Sequence, residues 1–86
     1  MSNKLTVKVT KTDIKNGVCG SETLCPIARA VRRQTKTRVV VDGVGMTVGR
    51  LGHGGREYFL PVNAEEFIWN FDAGNRVKPF KFVATQ

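Results

Sequence analysis

The dipeptide Asp42-Gly43 lies between two short apolar runs, Arg38-Val39-Val40-Val41 and Val44-Gly45-Met46-Thr47-Val48, and it constrains the fold more than any other feature of the chain. Asp and Gly both tolerate positive φ, so the pair is the signal for a two-residue type I′ turn, and the flanking runs become antiparallel neighbours. That pairing puts Val39, Val41, Val44, Met46 and Val48 on one face.

The other elements follow from periodicity and punctuation. In Lys4-Leu5-Thr6-Val7-Lys8-Val9-Thr10 the apolar residues alternate with Lys or Thr, the period of a half-buried strand with Leu5, Val7 and Val9 inward. Thr12 is placed to cap a short helical turn through Asp13-Ile14-Lys15, and Gly17 to end it with a positive φ. Pro26 fits the first turn of a helix, where its missing N–H has no partner, so Leu24 to about Thr35 reads as helical. At 100° per residue Ile27, Ala30 and Val31 share one side, with Arg29, Arg32, Arg33 and Lys36 opposite. The glycine-rich stretch 49–55 reads as a loop and Glu57 to Val62 as a further strand. Asn63 with Glu66 fits a capping box, followed by a helix whose Ala64, Phe67, Ile68 and Phe71 line one face and which Gly74 closes. Val77 to Val83 reads as a last strand, pushed to a sheet edge by Pro79. The expected fold is α+β: a mostly antiparallel sheet of about five strands with two main helices packed on it.

A chain of 86 residues is the size of one domain. Its net charge of +7 predicts attraction to polyanions or to acidic proteins. The excess is concentrated in residues 1–36, with eight basic and two acidic side chains. No apolar run approaches the roughly 20 residues of a membrane span, and the first residues lead into a strand pattern instead of a signal peptide. A cytoplasmic location is therefore expected, with Cys19 and Cys25 as thiols.

Three segments stand out together: Thr12-Asp13-Ile14-Lys15-Asn16-Gly17, Cys25-Pro26-Ile27-Ala28-Arg29-Ala30, and Phe67-Ile68-Trp69-Asn70-Phe71-Asp72-Ala73-Gly74 running on to Val77-Lys78-Pro79-Phe80. In this order they resemble a loose group of small bacteriophage- and prophage-encoded proteins of unassigned function. The resemblance covers both ends and the first helix, not the central hairpin and glycine loop. It implies a chain made in the cytoplasm of an infected bacterium, and it carries over no catalytic or binding residue.

Of the constellations that could carry chemistry, most have a plain structural alternative. Cys19, Cys25 and a distant His53 are too few and too scattered for a tetrahedral zinc site, and Cys25 reads better as a small apolar side chain than as a nucleophile. Gly49 to Arg56 resembles a phosphate-cradling loop, with Arg50, His53 and Arg56 as polar groups. However, strands flank it on both sides where a strand-to-helix turn is required, so it reads as a mobile hairpin loop and contact surface. The stripe Arg29, Arg32, Arg33 and Lys36, with Lys4 and Lys8, has the charge to neutralise phosphates but no stacking aromatics beside it, and a solvated helix face explains it as well. Trp69 lies roughly 150° from the centre of its helix's apolar face, beside Glu65 and Asp72. It is either a partner contact or a ring buried beneath the last strand or a loop. Recognisable pairs of acid and base are missing, so no enzyme and no cofactor is expected. The function expected is that of a phage-type accessory binding protein that attaches to a host macromolecule, a protein in the first instance, with nucleic acid as the alternative partner, a small enzyme as a remote third, and no membrane contact.

Overall fold

The computed structural model describes residues 4–49 and 55–86. In chain order the elements are β1 (Lys4–Val9), α1 (Lys11–Asn16), α2 (Pro26–Thr35), β2 (Val39–Val41), β3 (Gly45–Val48), β4 (Arg56–Phe59), α3 (Val62–Asp72) and β5 (Phe80–Thr85). The five strands form one antiparallel sheet in the order β1-β5-β4-β3-β2. It is the α+β fold that the periodicities predict. The sheet curls so that α2 packs against both of its edge strands, β1 and β2.

Burial of apolar side chains between sheet and α2 builds the core. Val7, Val9, Ile27, Ala30 and Val31 are almost fully enclosed, joined by Val39, Val41, Met46 and Phe82. Each large aliphatic side chain removed from water in this way contributes about 1.5–3 kcal/mol. The helix starts at Pro26, not Leu24, because the residue before a proline is held extended: Cys25 has ψ 163° and acts as the N-cap, its Sγ accepting from the Ala28 N–H at 3.5 Å. A left-handed Lys36 (φ 59°) ends the helix.

Local details differ from expectation in several places, each for an identifiable reason. The cap of α1 is Thr10 and not Thr12. Its hydroxyl accepts from the Asp13 N–H while the Asp13 carboxylate accepts from the Thr10 N–H, a reciprocal capping box two residues earlier. Gly17 is extended (φ −71°) instead of left-handed. It is needed for another reason, since a Cβ there would meet the Pro26 ring at 2.5 Å. The hairpin turn is centred on Gly43-Val44, one residue later than expected. Gly43 alone takes positive φ (98°), and the Asp42 carboxylate accepts from the Val44 and Gly45 N–H groups. Val39, Val41, Met46 and Val48 keep their common face, but Val44 is left exposed on the turn.

β4 ends at Phe59 and α3 begins at Val62, so Asn63 lies inside the first turn and caps nothing; its amide instead reaches the Lys81 carbonyl. β5 starts only at Phe80, so Pro79 stands outside the ladder. β5 lies between β1 and β4, and the sheet edges are β1 and β2. Both edges are partly covered. Gln34 donates to the Thr6 carbonyl (2.9 Å) and accepts from the Lys8 N–H (2.9 Å), Arg33 donates to the Lys8 carbonyl (3.0 Å), and on the far edge the Val41 N–H donates to the Glu22 carbonyl (2.7 Å). Edge groups satisfied by side chains and loops cannot recruit a further strand.

Candidate functional site

α3 is anchored through its inner face and leaves its outer face bare. Ala64 and Phe67 are buried, and a run of stacked rings, Phe71 on Phe67 on Phe80 on Phe82, ties the helix to β5. Its C-terminal end is tied to the loop after α1, where the Gly20 N–H donates to the Asp72 carboxylate (2.9 Å) and Cys19 Sγ donates to the Phe71 and Asp72 carbonyls. Trp69 belongs to none of these contacts and is 70% exposed. The choice between a solvated ring and one buried under the last strand falls to the first.

Val62 is 68% exposed and stands seven residues before Trp69, two turns along the same side of the helix. With Ala73 it continues the Trp69 ring into an apolar stripe. A shallow groove runs along this stripe, lined by Gly43 of the hairpin turn, Val62, Ile68 and Trp69, with Glu65, Glu66 and Asp72 around them. The expected Trp69, Glu65 and Asp72 are thus together, and Val62 and Glu66 complete the set. Val62 escapes a reading of the sequence because it looks like the end of a strand; once the helix is started there, the i, i+7 spacing to Trp69 reveals it.

The charge around this groove opposes that of the molecule. A second, smaller cleft adjoins the groove, sharing Gly43, Ile68 and Asp72 with it and adding Glu22 and Asp42. Five of the chain's seven carboxylates therefore line two neighbouring clefts, although the net charge is +7. None of the described Lys or Arg side chains lines either one. The carboxylates are spread along the surface and do not converge: among the described residues no three His, Cys, Asp or Glu side chains group to hold a metal ion.

The basic stripe of α2 is dispersed by contrast. Arg33 pairs with the buried carboxylate of Asp13 and with the Lys8 carbonyl, so it belongs to the fold and is not a free surface cation. Burial alone would raise the Asp13 pKa, but the Arg33 guanidinium together with the Thr10 N–H and hydroxyl outweighs it and holds the carboxyl below its usual range. Arg29 is half-buried, its Nε enclosed without a hydrogen-bond partner. Arg32 is exposed beside Arg38, and Lys36 is exposed at the helix end. Of the four charges in a row on the helical wheel, Arg32 and Lys36 stand exposed, Arg33 is exposed but held by Asp13, and Arg29 is half-buried.

Cys19 is exposed and Cys25 buried, both free. Burial pushes the Cys25 thiol above its ordinary pKa, against the pull of the Ala28 and Ile27 N–H groups. Arg56 is exposed on β4, whereas Arg50 and His53 of the glycine loop lie outside the described residues. No described helix is long and apolar enough to cross a membrane. No family model, curated protein or solved structure matches the chain.

Proposed function

We propose that this chain is a non-catalytic binding protein that attaches to another protein through the outer face of α3, with Trp69 at the centre of the contact. In the setting implied by the phage resemblance, the partner is a protein of the bacterial host. One observation carries the reading: Val62 and Trp69 are both about two-thirds exposed on one helical stripe and make no use of that exposure within the fold. Large rings of this kind are enriched where interfaces concentrate their binding energy, and adjacent exposed apolar groups mark contact surfaces. Burying the ring against a partner recovers the hydrophobic free energy that the isolated chain forgoes. The wild-type chain and its Trp69→Ala and Arg32→Glu/Lys36→Glu variants, used as bait in bacterial lysate with and without nuclease, test it. A captured protein lost with Trp69→Ala and retained with the α2 variant supports the reading. Capture that disappears with nuclease, or only with the α2 variant, gives the site to nucleic acid at the basic helix.

A further inference from the structure

We infer that the segment received by the Trp69 groove is basic: a stretch of a partner protein that lays a Lys or Arg side chain across the Trp69 ring, between Glu65 and Asp72 on one side and Glu66 on the other. The inference rests on the binding role just proposed and adds the chemistry of the partner. Its ground is the charge around an exposed apolar groove. On a helical wheel Val62, Trp69 and Ala73 form a central stripe, with Glu65 and Asp72 flanking it on one side and Glu66 on the other. Glu22 and Asp42 extend the negative field into the adjoining cleft. None of these five carboxylates forms a salt bridge among the described residues, where the single such pair is Arg33 with Asp13. A cation within about 6 Å of an indole centroid is attracted by the ring itself, and Trp is the strongest partner of this kind. Ring and rim therefore select the same ligand: a cation on an apolar stem, the shape of Lys and Arg.

The same features exclude other occupants. Phosphates of a nucleic acid or of an anionic lipid would face unpaired carboxylates, so Trp69 is not a base-stacking platform despite its exposure. A divalent ion needs oxygens that converge, and these do not. Glu65 and Glu66 are the residues to change, because their side chains hold no part of the fold together, whereas Asp72 receives the Gly20 N–H.

Trp69 is the chain's one tryptophan, so its emission reports on the groove directly. The probes are two synthetic amphipathic peptides with the same leucine positions, one carrying arginine at every polar position and the other glutamate. Added to the full chain, the arginine peptide should change Trp69 emission saturably, and the glutamate peptide should not. Glu65→Gln/Glu66→Gln should weaken the arginine peptide about three- to thirtyfold, in keeping with two exposed ion pairs, and raising the salt should weaken it further. Equal binding of both peptides, or an affinity unchanged in the double variant, overturns the inference. So does a salt-sensitive dimer lost in both Trp69→Ala and Arg32→Glu/Lys36→Glu, which would seat the α2 of a second copy in the groove. Capture of the lysate partner separates this claim from the one beneath it. A partner lost with Trp69→Ala but held undiminished by Glu65→Gln/Glu66→Gln leaves the binding role standing and removes only its basic chemistry. A partner held by Trp69→Ala removes both.

Discussion

α2 turns Arg33 and Gln34 from its polar side back onto β1, whereas α3 turns Val62 and Trp69 outward to water. The first helix thus uses charged and polar residues to finish the fold, and the second leaves apolar residues unused by it. In a basic protein the charge on a helix is a natural place to look for a partner, yet one of the four cations on α2 is locked to Asp13 and another is half-buried. Exposure that the fold does not need is the more discriminating sign. The groove on α3 has it twice over, in the apolar side chains of Val62 and Trp69 and in the carboxylates of Glu65 and Glu66.

The contrast is most sharply tested on α3 itself. Phe67→Ala removes a buried ring stacked against Phe80 and should cost about 3–5 kcal/mol in a denaturant titration. Trp69→Ala, two residues on, should stay below about 1 kcal/mol. Comparable losses at the two positions would make Trp69 part of the core and end the distinction between inner and outer faces.

The corresponding pair on α2 is Arg33 and Arg32. Arg33→Ala strands the buried Asp13 carboxylate and should cost about 1–3 kcal/mol, below the range for a fully buried pair because the Arg33 side chain is nearly half exposed. Arg32→Ala should remain within about 0.5 kcal/mol. Similar values for both would return the basic stripe to the solvent as a single face.

The pH dependence has a definite sign. Asp13 titrates lower in the folded chain than in the unfolded one, so below its ordinary value near ~4 the unfolded state takes up more protons. Its contribution is present above that value and is lost as pH falls through the depressed folded pKa. Melts recorded from pH 6 down to pH 2 should show stability falling chiefly below about pH 4, and in Arg33→Ala that fall should be shallower, because burial then acts with less opposition and brings the folded pKa of Asp13 back toward its unfolded value. An acid limb that is the same in both proteins would show that the pair does not set it.

The smallest effect concerns the two thiols. Cys19 should react with a maleimide in the native protein, and Cys25, enclosed and held as a thiol at the start of α2, only as rapidly as the chain opens. Mass spectrometry of a labelling time course distinguishes one fast site from two.

Periodicity alone reveals the fold class, the sidedness of β1 and the buried face of α2, because burial on one face writes a regular pattern into the chain; it sets Trp69 off the apolar face of α3 but leaves open whether the ring is buried, which the structure decides. What stays hidden depends on residues far apart in sequence. The pairing of Asp13 with Arg33 spans 20 positions and that of Gln34 with β1 spans 26 or more, and neither leaves a local trace. Boundaries are misplaced where two signals compete: Val62 continues a strand pattern yet opens a helix, and Asp42 favours the turn as a central residue yet serves it from outside through its carboxylate. The acidic clefts are the clearest example. Glu22, Asp42, Glu65, Glu66 and Asp72 look scattered along the chain, and the fold gathers them on one surface.

Gln34 sets up two clocks in one strand. The Lys8 N–H points away from β5, and its hydrogen bond is to the Gln34 side chain, so deuterium reaches it whenever α2 lifts, whether or not the sheet opens. Val7 and Val9 face β5 across the ladder and exchange only when the strands part. The ratio of these rates measures how often the helix detaches from an intact sheet.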